Sequence, residues 1–471
     1  MRSTAFVILF FCLLPNALAE VDFKVRLLDD PVYFDWNLAY GNETPILMNV
    51  MEGLVELDTG SAMHVRPQLA ESWTVSKDGK TYLFKLRPNV KWSDGRALTA
   101  ADFSYSWLRL LHPGLGATYA YYLFDIEGAE DYHKGRLKNP AGVGIRAIGK
   151  DQLEVRLRVA KPFFPQLLSF WVTFPVRRDL VENFGVKWAH PGNVAVLGPF
   201  VPTAYVPHSS VVLKRNELYH GLRPKLDTVT FKIINEESQA IKAFAKGEID
   251  YTPYFGTTAE LAEVKLLTAI RTAPYYQVCS AYFNVSIYPF SLPKVRQAFA
   301  TIGDVARLPK MELTVYASDE LARVATKITE LLSRNLGIKI SVSNAIQAEY
   351  FNRVRIGMAP FYYGCWAADY ADPDSFFGIF LSDIENNTTR WKSASYDTLV
   401  KQAATMLDPL ARAKKYTEAL RLLLRDEVPV IPLYSPPLRY LLKSGFSGFK
   451  ISPLNYAFFR DISASSAAST R

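Results

Sequence analysis

The chain has 471 residues, 49% of them apolar, 13% aromatic and 21% charged, with a formal net charge of +8. That length suits about two to four domains, and the apolar share excludes a disordered chain. Lys and Arg are scattered rather than gathered into a tract or one helix face, which argues for solubility and against a nucleic-acid partner.

In chain order, Arg2 precedes an apolar stretch from Ala5 to Leu14, followed by Pro15, Asn16 and the small-residue tripeptide Ala17-Leu18-Ala19. This predicts a secretory signal peptide over residues 1–19 and a mature chain starting at Glu20. The apolar core is too short for a bilayer of roughly 30 Å, and no later segment reaches the ~18 apolar residues a span needs. Cys12 falls in the leader, without the small residues that precede a lipid-modified cysteine.

Phe23, Val25 and Leu27 alternate as a strand, Asp35 to Gly41 form a polar, aromatic loop, and Ile46 to Leu54 read as a helix. Trp73, Val75, Tyr82, Phe84 and Leu86 then alternate around the turn sequence Ser76 to Lys80, whose Asp-Gly pair predicts a hairpin. Thr99 reads as a helix N-cap with Asp102 three residues on, and Phe103, Trp107, Leu110 and Leu111 form the buried face. Residues 153–159 alternate again, and Pro162 and Pro165 break the chain before a helix and strand around Leu167 to Pro175. Strands are expected from Gly198 and over 211–216, with a loop over 219–226. Residues 235–247 predict a helix with Ala240, Ile241, Phe244 and Ala245 on its apolar face and Gly247 as its stop. A third region opens at Tyr275. It comprises a strand over 278–284, a helix start over 293–299, a strand over 311–316, an amphipathic helix over 321–336 closed by Gly337, a strand over 338–342 and a helix over 395–404. An apolar strand near 428–434 is expected to return to the first domain, and the last ten residues are expected to fray. Helices and strands alternating throughout predict an α/β chain.

No chemistry-bearing motif stands out. The six histidines (64, 112, 133, 190, 208 and 220) show no metal-ligand spacing, and neither a Gly-x-Ser-x-Gly elbow nor a phosphate-binding loop occurs. A cofactor, a metal and an enzymatic activity are therefore not expected. Binding residues cluster instead at Tyr362 to Phe377, where an apolar, aromatic strand ends in Asp369, Asp372 and Asp374. A carboxylate at such a strand end could hold an ammonium group by a charge-assisted hydrogen bond. Asp372-Pro373 also reads as a turn former and Asp374 as a cap.

Several stretches, Ala70-Glu71-Ser72-Trp73, Asp78-Gly79, Phe84-Lys85-Leu86-Arg87, Val90-Lys91-Trp92, Asp94-Gly95 and Thr99-Ala100-Ala101-Asp102, resemble the signature of the family 5 extracellular solute-binding proteins. These are periplasmic receptors that deliver peptides and related solutes to ABC importers. The resemblance covers almost the whole chain after the leader. It implies a two-lobed periplasmic binding protein fold of type II, in the three-domain peptide-receptor variant with mixed sheets flanked by helices. Domain I would hold residues 20–45, 170–272 and 437–471, domain II residues 46–169, and domain III residues 273–436. The heptad Pro293 to Phe299 matches a family helix. The chain then passes from Ile302-Gly303-Asp304 almost directly to a strand, so domain III is shortened near 300–310 and an altered pocket is expected.

The same resemblance implies the site. In Trp366-x-x-Asp369 the carboxylate of Asp369 would bind a peptide's α-amino group. Main chain from Gly364 through Cys365, Trp366 and Ala367 to Ala368 would pair with the ligand backbone. Tyr119 would touch ligand backbone or else be a packed surface aromatic, and Tyr40, Gly41 and Asn42 would line the pocket. Cys279 and Cys365 resemble the placement of a family disulfide; two buried free thiols are the alternative in an oxidising setting. Two departures bear on the ligand. Tyr362 and Tyr363 occupy the stretch where peptide receptors carry a basic residue, with Arg353 and Arg355 further back, and Gln347 replaces an aromatic that stacks on ligand. The implied protein is a monomeric periplasmic receptor for a peptide or peptide-like solute, partnered by an inner-membrane ABC permease. A murein peptide, an opine or an oligosaccharide as ligand is the alternative, as is a degenerate interaction or sensing protein.

Overall fold

The alternation at the start of the chain drives Phe23, Val25 and Leu27 into the core at 1% exposure or less, and strand β1 (Asp22–Leu27) becomes the middle of a seven-stranded sheet. The computed structural model describes residues 21–58, 64–254, 261–262, 265–301, 303, 308–316, 319–384 and 386–465. The expected signal peptide lies outside the described residues.

After β1 come the short pair β2 (Val55–Leu57) and β3 (Val65–Pro67), then β4 (Ala70–Val75), β5 (Thr81–Leu86), β6 (Ile145–Ile148) and β7 (Gln152–Arg156). The next group is β8 (Phe200–Val206), β9 (Ser210–Arg215), β10 (Thr228–Ile233), β11 (Tyr251–Pro253) and β12 (Ile270–Ala273). The last is β13 (Gln277–Phe283), β14 (Met311–Tyr316), β15 (Ile340–Ala345), β16 (Phe361–Ala367), β17 (Val430–Tyr434) and β18 (Leu438–Leu442). These form a large sheet ordered β12-β18-β11-β1-β10-β9-β8, a four-stranded sheet β4-β5-β7-β6 and a five-stranded sheet β15-β14-β16-β13-β17. Parallel pairs (β1 with β10 and β11, β14 with β15 and β16) sit among antiparallel ones, so the expected mixed α/β architecture is present.

The chain leaves the large sheet after β12, builds the whole five-stranded sheet, and comes back as β18 between β12 and β11. The apolar strand expected to return to the first domain therefore does not: β17 pairs with β13 at the far edge of the five-stranded sheet. Pro436 and Pro437 end it, since neither can donate to a ladder, and the return falls to β18.

The hairpin and helix expected over 73–111 form as drawn from sequence. β4 and β5 pair antiparallel, and Gly79 at the turn takes a φ of +71°, which a side chain would resist. The Thr99 backbone N–H donates to Asp102 Oδ2 at 2.8 Å, closing a capping box on the helix Ala100–Leu111, and Phe103, Trp107, Leu110 and Leu111 are fully buried.

Four local expectations need correction. The helix predicted over 46–54 is Thr44–Val50, with Met51 already extended. Gly198 N–H takes the Val50 carbonyl at 2.9 Å, so that carbonyl is diverted from the helix. No strand is found over 167–175; instead Phe164–Leu167 and Trp171–Thr173 make short helical turns. Thr173 Oγ1 donates to the Leu168 and Phe170 carbonyls, the local side-chain bonding that competes with extended backbone. In the helix Glu237–Ala245, Ala243 rather than Ala245 joins the buried face. Finally, Ile462 is fully buried and Ser463–Ala464 pairs with Phe446–Ser447, so the chain is ordered into its last ten residues; residues 466–471 lie outside the described ones.

A Cβ on Gly198 would lie 2.5 Å from the Val50 carbonyl carbon and 2.8 Å from the Met51 nitrogen, both backbone atoms that cannot swing away. Gly198→Ala is expected to lower unfolding free energy by about 2 kcal/mol. Urea denaturation measures it, and an unchanged midpoint would show that the contact relaxes freely.

Candidate ligand-binding cleft

Where β1 ends, where the chain crosses out of the large sheet and where β16 ends, the three regions enclose a cleft of about 500 Å³, a size suited to a small ligand. One wall comes from Val25 to Asp29 and residues 41–45, a second from Tyr119, Phe170 and Trp171, a third from Ala368 and Asp369, and a floor from residues 454–457.

The Asp369 wall is built by consuming neighbouring polar groups. The ladder between β13 and β16 runs from Phe283 opposite Phe361 to Gln277 opposite Ala367, and Ala368 N–H then donates to the Tyr276 carbonyl at 2.7 Å. Beyond it the chain turns. Trp366 Nε1 donates to the Ser375 carbonyl and Asp369 N–H to Ser375 Oγ, both at 2.9 Å. Asp372 is buried in a two-pronged ion pair with Arg412 at 2.5 and 2.9 Å and accepts from Asp374 N–H, the turn-forming role expected of it. Asp374 accepts from the Tyr370 and Tyr416 hydroxyls rather than capping the turn with its side chain. The Arg412 guanidinium also lies 5.1 Å from the Phe163 ring centroid, and Phe163 stacks on Tyr370 at 5.6 Å, tying this loop to the chain around the four-stranded sheet.

One carboxylate is left over. Among the described residues Asp369 has no side-chain hydrogen bond or ion pair, and burial alone pushes its pKa up to about 6. Tyr119 and Tyr456 line the cleft beside it, and both hydroxyls are held above their ordinary pKa, first by burial and then by the Asp369 charge.

The aromatic wall is a continuous stack. Tyr122 lies on Phe170 at 4.3 Å and Phe170 on Trp171 at 3.8 Å, with Tyr119 edge-on to both. Trp171 Nε1 donates to the Ala39 carbonyl at 3.1 Å, which locks the stack to the loop before residue 41. That loop is shaped by Glu43, whose buried carboxylate accepts from Val32, Tyr33 and Gly41 N–H groups at 2.7 to 3.2 Å. Asn42 Nδ2 donates to the Asp29 carbonyl.

Asp369, Ala368, Tyr119, Gly41 and Asn42 thus meet on one cleft; the other residues singled out from sequence lie elsewhere. Tyr40 is half exposed and packs on Tyr33. Trp366 points across β16 into a separate apolar cavity of about 170 Å³ with Tyr282, Phe377 and Leu424. Gly364 sits beneath the Tyr350 hydroxyl, and Ala367 pairs with Gln277. Cys365, exposed on β16, forms a disulfide with buried Cys279 directly opposite, so the two thiols are not free. Arg353 and Arg355 belong to the helix Gln347–Arg355 and reach Glu349 and Asn352, away from the cleft wall. The side chain of Gln347 lies outside the described ones. Sequence reasoning missed Phe170, Trp171, Tyr275, Tyr456 and Glu43. The aromatic density around residues 163–174 was a usable signal, whereas Tyr456 had none.

Among the described residues no group of three metal-ligating side chains occurs, and no helix is long and apolar enough to cross a membrane. The model of the bacterial extracellular solute-binding proteins, family 5 middle region, matches residues 64–308, more than half of the chain. The chain is 28% identical to the dipeptide-binding protein DppE of Bacillus subtilis (strain 168) over 91% of this chain and 89% of that protein. It is 27% identical to the periplasmic oligopeptide-binding protein OppA of Salmonella typhimurium (strain LT2) over 86% and 85%. Among solved structures, the Escherichia coli murein tripeptide binding protein MppA superposes with a TM-score of 0.77 at 25% identity, covering 95% of this chain and 99% of that one.

The stranded carboxylate carries a stability cost with a defined sign. Asp369 binds its proton more readily folded, at about 6, than at its ordinary 3.8, so its contribution to stability falls as pH rises through that window and stays lost above it. Asp369→Asn, which cannot ionise, is expected to be more stable than the native chain by about 3 kcal/mol at pH 7 and equal to it below about pH 4. Denaturant titrations across pH 4–8 test this; a variant destabilised at pH 7 would mean the carboxylate has a partner after all.

Proposed function

The chain belongs to the bacterial extracellular solute-binding proteins of family 5, and on that premise we propose that it is the periplasmic receptor of an ABC importer, trapping a peptide by its free amino end. The single observation that carries this reading is the Asp369 carboxylate. It is desolvated and unpartnered, and it faces a cleft walled by aromatic rings. A ligand ammonium would supply the missing partner and turn the burial cost into binding energy by a charge-assisted hydrogen bond. The relatives named above as binding dipeptides, oligopeptides and a murein tripeptide support the ligand class.

Around that anchor, Tyr119, Gly41 and Asn42 would contact the ligand from the facing walls. The ladder of β16 with β14 passes only through Tyr362 opposite Thr314, which leaves the edge from Gly364 through Cys365, Trp366 and Ala367 to Ala368 for pairing with an extended ligand backbone. The Cys279–Cys365 disulfide would hold that edge in register, and Trp366 would position the Asp369 loop through Ser375.

In this reading domain I comprises residues 20–45, 170–272 and 437–471, domain II residues 46–169 and domain III residues 273–436. The protein exports by the leader 1–19 and acts as a monomer. Ligand stabilises the closed arrangement of the lobes, and the inner-membrane permease recognises that shape. The role is capture, not catalysis.

Calorimetric titration with a tripeptide and its N-acetyl derivative tests the anchor. The acetylated ligand is expected to bind at least tenfold more weakly, and Asp369→Asn to abolish that difference; equal affinities for the native protein would remove Asp369 as anchor. Because the ammonium needs an ionised carboxylate, affinity is expected to fall as pH drops below about 6. A flat profile between pH 4 and 7 would contradict it.

A further inference from the structure

A dipeptide or tripeptide is a zwitterion, and its carboxylate needs a place as much as its ammonium does. Among the described residues on the wall of this cleft the charged side chains are Arg26, Asp29 and Asp369. Arg26 is itself buried, and all three of its guanidinium nitrogens are engaged. One Nη pairs with Glu237, Nε donates to the Ile234 carbonyl at 2.8 Å and the other Nη to the Asn235 carbonyl at 2.9 Å. The Arg26 charge is already neutralised by Glu237, so a ligand carboxylate would have to compete with that pair. The remaining two charges are negative. Asp29 accepts from Asp30 N–H, and Asp369 has no partner among the described residues. Every other lining side chain is neutral, the polar ones being Asn42, Thr44, Asn455 and tyrosines.

We infer that the cleft selects peptide-like amines whose second end is uncharged, such as C-terminal amides, over short zwitterionic peptides. The inference rests on the reading of Asp369 as ammonium anchor. Three physical terms favour it. A carboxylate enclosed beside Asp29 and Asp369 is repelled by both and desolvated without a cation to compensate. A terminal amide brings donors and acceptors that Asn42, Asn455 and the tyrosine hydroxyls can meet without charge. The faces of Trp171, Tyr119 and Phe170 attract a cation and offer a carboxylate nothing. Discrimination of this kind comes from the unpaired charge that the wrong ligand must bury rather than from an added contact to the right one. A long peptide escapes the penalty when its carboxylate remains in solvent, so the preference belongs to ligands short enough to be enclosed.

The test is calorimetric titration of the whole mature chain at pH 7.5 with four forms of one neutral tripeptide, Ala-Phe-Ala: free amine with free acid, free amine with amide, acetyl with free acid, and acetyl with amide. The free-amine amide is expected to bind about tenfold tighter than the free-amine acid. A preference below threefold, or the reverse preference, overturns the inference. If the acetylated pair still binds more weakly in that case, the anchoring role of Asp369 stands without it. Acetylated forms that bind as tightly as the free amines overturn the anchor and the inference together, and so does the absence of binding by all four.

Discussion

Two backbone hydrogen bonds of one residue hold the cleft open at a set width. Tyr276 lies where the chain crosses from the large sheet to the five-stranded one; its N–H donates to the Pro453 carbonyl at 2.9 Å, and its carbonyl accepts from Ala368 N–H at 2.7 Å. Pro453 precedes the floor segment 454–457 and Ala368 precedes Asp369, so one residue spaces two walls of the cleft. The dependence follows from topology. The five-stranded sheet is joined to the rest of the chain by residues 274–276 and 435–437 alone, and a joint of two short strands is where lobes of such proteins turn relative to each other. Asp369 therefore lies next to the joint, where a small rotation would move it least, and the aromatic wall of Tyr119, Phe170 and Trp171 lines the same cleft.

Among the described residues the buried carboxylates around Asp369 are paired, and Asp369 is not. Asp372 is neutralised by Arg412, Asp374 is satisfied by two tyrosine hydroxyls, and Glu43 is spent on three backbone N–H groups. Away from the cleft, Glu52 accepts from Tyr219 and lies against His220, and Glu56 pairs with Arg460. Buried carboxylates without partners are costly, and a chain that pairs the others while leaving Asp369 bare gives up stability at one point, the pattern expected of a functional position. The same reasoning explains why the neighbouring acids in Asp369-Tyr370-Ala371-Asp372-Pro373-Asp374 are not equivalent despite their spacing: what separates them is Arg412, 40 residues downstream in a helix.

Sequence made the local architecture legible and the cleft only partly so. Alternation around Asp78-Gly79 and the Thr99–Asp102 box are contained within a few residues, and both formed as expected. Asp369 reads from sequence as one of three strand-end carboxylates, and it is set apart from Asp372 and Asp374, as Tyr119, Gly41 and Asn42 are singled out, only through family resemblance. The failures share a cause. Helix 44–50 is cut short by Gly198, about 150 residues away, and Phe170-Trp171 bend out of the expected strand to stack on Tyr122 and reach Ala39. Trp366 and Asp369 look like one motif in the sequence. The strand end falls between them, however, so Trp366 projects from β16 into the apolar cavity while Asp369 lies past the last ladder bond, where the chain turns.

The five-stranded sheet is braced by the helix that precedes residue 302. The helix Pro293–Thr301 still does its work toward the sheet: Phe299 packs edge-on against Phe283 and Phe361, Arg296 donates to the Phe290 and Glu427 carbonyls, and Gln297 donates to the Asp426 carbonyl. Those last two carbonyls sit at a strained corner. Residues 422–426 are wound as a π-helix, and Val428, a β-branched residue, takes a φ of +49° just before β17. Losing the helix would expose that corner and with it the edge strand that closes the sheet over β13. Among the described residues between 293 and 316, none lines the cleft. The one cation on the cleft wall among the described residues, Arg26, is already paired with Glu237.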